Sequence, residues 1–148
     1  MPNPNVAQGV LNRVKASVTW ASFTTLNVTA PYLGRLGISL SPDGPITSFI
    51  PTMTGAVQSQ EVYQKMTLSM HLLRTQGLAE LYKLKVESDS NLGGGTVAPD
   101  VVAGGISRYL LINCGIENIS PFVFNGTEEG YTVVIGGYYF VNGNLFNV

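Results

Sequence analysis

With 148 residues the chain is long enough for one domain with a real core, and two domains would each be marginal. Charged residues make up 11% of it, under half of the roughly 25% usual in soluble domains. The 8 basic and 9 acidic side chains are scattered and sum to −1, which excludes a basic nucleic-acid stripe and an acidic tail.

So few charges leave most of the surface to Ser, Thr, Asn and Gly, or to partner subunits, and the composition favours partners. Cys114 is the single cysteine, so neither an intrachain disulfide nor a cysteine metal cluster can form. The start MPNPNVAQGV lacks the charged-then-apolar pattern of a signal peptide. The longest apolar run, Tyr131–Val141, is strand-sized and far below the ~20 residues that cross a bilayer. The expectation is a protein of a reducing cytoplasm with no membrane anchor.

In chain order, residues 1–9 are polar, hold two prolines and read as an N-terminal arm. From Arg13 the pattern alternates. Val14, Ala16, Val18 and Trp20 point one way, and Arg13, Lys15, Ser17 and Thr19 the other, which predicts a half-buried strand. Further strands are predicted over Leu26–Thr29, stopped by Pro31, and over Leu36–Leu40. Residues 41–55, SPDGPITSFIPTMTG, hold three prolines and two glycines and predict an extended loop. Ile46, Phe49, Ile50 and Met53 make that loop apolar, which is a liability for a monomer in water. It either docks on a neighbour or folds back over its own core.

The clearest strand follows. Val62, Met66, Leu68, Met70 and Leu72 share one face, interrupted by Gln64, while Glu61, Tyr63, Lys65, Thr67, Ser69 and His71 share the other. Then the period changes. Leu78, Leu81, Tyr82 and Lys85 recur at helical spacing and predict one helix over about 75–87, with Thr75 as N-cap and an end before Asn91 and Gly93. Short strands are predicted at Thr96–Val97, Arg108–Asn113 and Ile116–Ile119, with a turn at Asn125-Gly126. Tyr131–Val141 is apolar on both faces and predicts a strand covered on both sides, by a second layer or by a neighbouring subunit. Residues 142–148 form a short C-terminal tail with Leu145 and Phe146 as anchors. The fold class is mainly β, a single-domain sandwich or barrel with one α-helix.

Catalysis needs polar groups that converge. His71 is the single histidine and sits on the polar face of a strand, so it reads as a surface or interface residue. Cys114 has no basic neighbour in sequence and reads as a buried thiol. Glu128 and Glu129 are adjacent and would face opposite ways in an extended segment. The glycines at 93–95 lack the Lys-Ser or Lys-Thr of a phosphate loop. Asp89–Asp100 has the oxygens of a calcium loop at its first and third positions, but Gly93 and Val97 spoil the fifth and ninth. The expectation is a protein with no catalytic residues, no cofactor and no metal.

The runs GVLNRVKASVTW, LNVTAPYLGRLGISLS and ITSFIPTMTGAVQSQEVYQKMTLSMHLLRTQGLAELYK, with the ending YLLINCGIENISPFVFNGTEEGYTVVIGGYYFVN, resemble the tail tube proteins of contractile-tailed bacteriophages. The resemblance spans nearly the whole chain and is weakest over residues 1–9 and 88–106. It implies a non-enzymatic subunit without cofactors. Six copies would form a ring, rings would stack into a hollow tube, and strands of every copy would join in a continuous inner β-barrel. The implied partners are further copies of the chain, the tail sheath protein, a baseplate or tube initiator and the tape measure protein in the bore. Viral DNA would pass without sequence-specific binding. The implied place is the virion, after assembly in the host cytoplasm.

Under that resemblance Asp43, Ile46, Phe49, Ile50 and Met53 become the candidate ring-to-ring contact. Glu61, Tyr63, Lys65, Thr67, Ser69 and His71 become a face that lines the bore or meets the sheath. Other readings stay open here: a tube subunit or initiator of a phage-derived bacteriocin or type VI secretion machine, a monomeric β-sandwich binding module, or an enzyme using Cys114 and His71.

Overall fold

The computed structural model describes residues 5–7, 17–98, 108–120 and 125–146. Most of the expected N-terminal arm, residues 13–16 of the first expected strand, and the anchoring side chains of Leu145 and Phe146 lie outside the described residues. The chain is mainly β with one helix, and its main sheet curls into a half-barrel. The strands are β1 (Ser17–Trp20), β2 (Leu33–Asp43), β3 (Thr47–Pro51), β4 (Ala56–Gln60), β5 (Tyr63–Leu73), β6 (Asn91–Ala98), β7 (Tyr109–Ile119) and β8 (Gly130–Phe140). Helix α1 spans Leu78–Ser88.

Six strands form one antiparallel sheet in the order β1-β6-β7-β8-β5-β2, and β3 and β4 form a separate two-stranded sheet. β5 is the register keeper: it pairs with β8 residue for residue from Tyr63↔Phe140 to Leu73↔Gly130. The curl comes from irregularities elsewhere. β2 slips between Leu33 and Ile38, where Gly37 takes a positive φ of 66°, and β6 and β7 slip against each other near Gly93 and Asn113. Such bulges bend the bulged strand and strengthen its twist.

The alternation of β5 is as expected. Met66, Leu68, Met70 and Leu72 enter the core beside Val133 and Ile135 of β8 and Val18 and Trp20 of β1, and Leu78 and Tyr82 of α1 close it. Gln64 interrupts this face for a reason: its side-chain amide donates to the Gly44 carbonyl at 3.0 Å.

Trp20 is wholly buried, and its ring fills the space that a side chain on Gly95 of β6 would need. Its indole N–H donates to the Tyr82 hydroxyl at 3.1 Å, and that hydroxyl donates to the Leu26 carbonyl at 2.8 Å. One chain of hydrogen bonds therefore joins β1, α1 and the turn before β2. Both buried polar groups are satisfied, which is what makes their burial tolerable.

Several expectations need correction. The loop expected over 41–55 is the end of β2 followed by the β3–β4 hairpin. Its turn is closed by the Thr52 N–H on the Gly55 carbonyl at 2.8 Å and the Gly55 N–H on the Thr52 hydroxyl at 3.1 Å. Of the prolines that suggested a loop, Pro42 lies within β2, Pro45 precedes β3 and Pro51 ends it, on a strand whose other edge has no partner among the described residues and where a missing N–H costs little. Leu26–Thr29 is no strand; Thr24–Leu26 is a single 3₁₀ turn, and Val28 forms one isolated bridge with Val18.

The helix begins two residues later than a Thr75 cap implies, after Gly77 and with no side-chain cap, because Thr75–Gly77 is spent on the turn out of β5. Its stripe is narrower too. Leu78 and Tyr82 are buried, but Leu81 is exposed, and Lys85 lies with its ammonium 3.8 Å above the Phe23 ring and 3.3 Å from Asp89. Arg108–Asn113 and Ile116–Ile119 are one strand, β7, carried through a kink at Asn113, whose φ is 52°. The triple glycine and Asn91–Ala98 are strand β6, which removes the calcium-loop geometry. β8 is covered on one face, while Tyr138 and Phe140 on the other are exposed.

Replacing Trp20 with Ala should cost ~3–5 kcal/mol, and Tyr82→Phe, which strands the Trp20 donor and the Leu26 acceptor, about 1–3 kcal/mol. Urea unfolding followed by circular dichroism measures both. Near-neutral midpoints would show that the β1–α1 joint does not bear on stability.

Candidate functional site

The candidate residues fall on two regions. Asp43 ends β2 and is exposed; Ile46 precedes β3; Phe49 and Ile50 lie within it; Met53 sits in the turn. Every residue of β4 is exposed, as is all of β3 beyond Thr47, and Met53 is fully so. From Gly44 to Gln60 the sequence has no charged residue. Phe49, Ile50, Met53 and Val57 thus make an uncharged apolar projection with water on both sides. Folding back over its own core is excluded for this segment.

The root of the hairpin is held firmly. The Glu61 N–H donates to the Ile46 carbonyl at 2.9 Å, the Asn142 amide to the Glu61 carbonyl at 2.7 Å, and the Val141 N–H to the Val62 carbonyl at 2.7 Å. Together with Gln64 on Gly44, these bonds tie both arms of the hairpin to the ends of β5 and β8.

The second region is the face of β5 opposite the core. Tyr63 is exposed, Lys65, Thr67 and Ser69 are half-buried, and Glu61 lies just before the strand. Across the neighbouring strands this face is not uniformly polar. Tyr63 meets Phe140 and Tyr138 edge-on, with ring centroids 5.8 and 6.5 Å apart. Leu110 and Ile112 of β7 are exposed, and Ile112 is in register with Tyr138. Tyr63, Ile112, Asn113 and Tyr138 line an open cavity of about 250 Å³. Sequence reasoning missed Tyr138, Phe140, Leu110 and Ile112. Their grouping depends on the register of three strands.

Beside this patch the Lys65 ammonium lies 2.6 Å from the Glu117 carboxylate and 4.0 Å from that of Asp43. The pair reaches from β5 to β7 across β8, and it can do so because Gly136 leaves open the space that Glu117 occupies. The Glu117 hydrogen bond and then its charge raise the Lys65 ammonium above the ordinary lysine range, so the lysine is held charged but neutralised.

His71 is a correction. It is 8% exposed, not a surface residue. Its ring fills the space beside Gly34 of β2 and Gly130 of β8, where side chains would collide with it. Nε2 lies 3.5 Å from Glu129, and neither ring nitrogen makes a hydrogen bond among the described residues. Cys114 is also buried, facing the core, and burial pushes its thiol up to about 11.

The two cannot form a dyad. His71 is in register with Thr132 on the other face of the sheet, whereas Cys114 abuts Gly137, roughly 16 Å further along β8 at ~3.3 Å per residue. Among the described residues no group of His, Cys, Asp and Glu side chains is placed to hold a metal, and no helix is long and apolar enough to cross a membrane. No protein-family model matches the chain, and no curated protein matches it.

Two outcomes test this arrangement. Gly34→Ala should cost more stability in the native sequence than in a His71→Ala background, with a coupling of about 0.5–3 kcal/mol in a denaturant double-mutant cycle; strict additivity would separate the two residues. The Cys114 thiol should resist Ellman's reagent in the folded protein at pH 8 and react at once in urea. Fast reaction in the folded state would place the thiol at the surface.

Proposed function

We propose that the chain is the tube subunit of a contractile bacteriophage tail: a non-enzymatic protein whose copies form six-membered rings that stack into a hollow conduit. The observation that carries this reading is the β3–β4 hairpin. A lone two-stranded hairpin is at best marginally stable in water, yet this one is uncharged, apolar and rigidly rooted. Such a projection is expected of a docking element that meets another subunit.

Two further features support assembly. Among the described residues β2 pairs only with β5, and β7 beyond Ile116 pairs only with β8. The four-strand sheet β2-β5-β8-β7 thus has backbone groups free along both sides at one end. Neighbours in a ring can join there, removing edges that would otherwise recruit strands without control. The low charge content fits a surface that partners cover.

In this reading the sheath packs around the tube, a baseplate initiator starts it, the tape measure protein fills the bore, and DNA later passes without sequence-specific contacts. The place of action is the virion.

Negative-stain electron microscopy across a concentration series should show rings or hollow tubes of uniform width. Cutting the hairpin from Thr47–Gln60 down to a two-residue turn should leave rings or monomers and no long tubes. Normal tubes from that variant would move the stacking contact elsewhere.

A further inference from the structure

The hairpin tip has an exposed apolar side chain to place, and the sheet has an exposed cavity to fill. We propose that the cavity lined by Tyr63, Ile112, Asn113 and Tyr138 receives the hairpin tip of a second copy of this chain, with Met53 as the side chain that enters it. This contact presupposes the tube reading and names its acceptor surface.

Size favours a side chain over a free ligand. The cavity holds about 250 Å³, below the ~300–1,000 Å³ of small-molecule pockets. Its chemistry suits a thioether: the lining is two tyrosines, an isoleucine and an asparagine, and methionine sulfur packs favourably against aromatic edges. Met53, fully exposed at the turn, is unbranched and can adapt to an irregular hollow.

The charges agree as well. The nearest lysine, Lys65, is paired with Glu117 and lies 4.0 Å from Asp43, so the acceptor presents no free cation to the donor. The donor, from Gly44 to Gln60, has none to present. A nucleic acid would need free cations here.

The occupant cannot be the chain's own tip. The hairpin root, where Glu61 bonds Ile46, is two residues from Tyr63. From there the ladder Thr47↔Gln60 to Pro51↔Ala56 carries the tip about 17 Å away, at ~3.4 Å per residue. The tip cannot return to the patch beside its own root without breaking that ladder. Each chain therefore carries one donor and one acceptor that it cannot join to each other. That is a heterologous contact, which propagates from copy to copy.

The test uses two single variants, Met53→Cys and Ile112→Cys, each mixed into wild-type chain as carrier and then with each other. Both positions are exposed, so neither change disturbs the core, and buried Cys114 stays in place as a silent thiol. After mild oxidation with copper phenanthroline in air, non-reducing electrophoresis should show a mixed disulfide at least tenfold above either homodimer. Ile112→Asp should raise the concentration needed for tubes at least tenfold while the circular dichroism of the subunit stays unchanged. Tubes that form without the mixed disulfide, or form normally from Ile112→Asp, would overturn the acceptor and leave the tube reading standing. Monomers alone at every concentration, with no disulfide, would overturn both.

Discussion

The burial of Met66, Leu68, Met70 and Leu72 on one face of β5 determines most of what the rest of the molecule can do. Successive residues of a strand point to opposite sides. Once this set is committed to the core, Tyr63, Lys65, Thr67, Ser69 and His71 must face away from it, and the side chains of β8 follow through an unbroken register. The same commitment fixes where β5 begins, and so where the hairpin root must be anchored. Gln64 shows the constraint at its limit: a polar residue at a core position, kept there because its amide holds the turn leading into the hairpin.

The outward face is organised by what glycine leaves out. Gly136 makes room for Glu117 to reach Lys65 across an intervening strand, and Gly34 and Gly130 make room for the His71 ring. The Lys65–Glu117 arrangement adds little to stability, since exposed ion pairs contribute little. What the Lys65–Glu117 pair does is remove a bare charge from the border of an aromatic patch. In a chain with so few charges, placing two of them against each other leaves the aromatic patch without a free cation beside it.

The legible and illegible parts of the sequence divide along physical lines. The alternation of residues 62–72 is a local signal, and the structure follows it. The one helix was legible from Leu78 and Tyr82, but its start was not, because the turn out of β5 decides that. The hairpin was hidden by Pro45 and Pro51, which signal a loop unless one knows that their strand has a free edge. The exposure of Phe49, Ile50 and Met53 could be read from apolar residues among turn formers. The burial of His71 could not, because it depends on glycines contributed by two other strands. The patch of Tyr138, Phe140, Leu110 and Ile112 was invisible for the same reason: each residue is ordinary alone, and only the pairing of β5, β8 and β7 brings them together.

Under the tube reading a subunit must be sticky in chosen places and inert elsewhere, and the strand edges are compatible with this division. The outer edge of β1 is closed within the chain: Val18 exchanges two hydrogen bonds with Val28 at 2.9 Å, and the Trp20 N–H donates to the Asn27 side chain at 2.8 Å. The edge of β2 has no partner among the described residues, but the bulge at Gly37 and Pro42 near its end break its run of donors. An interrupted edge accepts a neighbouring strand in few registers, which suits a closed ring better than open-ended pairing. Pro51 similarly blunts β3, leaving the hairpin to act through its side chains more than through its backbone. Under the tube reading the two directions of growth would then rest on different physics. Backbone pairing with a restricted register would close the ring, and apolar side chains that cannot be satisfied within one chain would stack it.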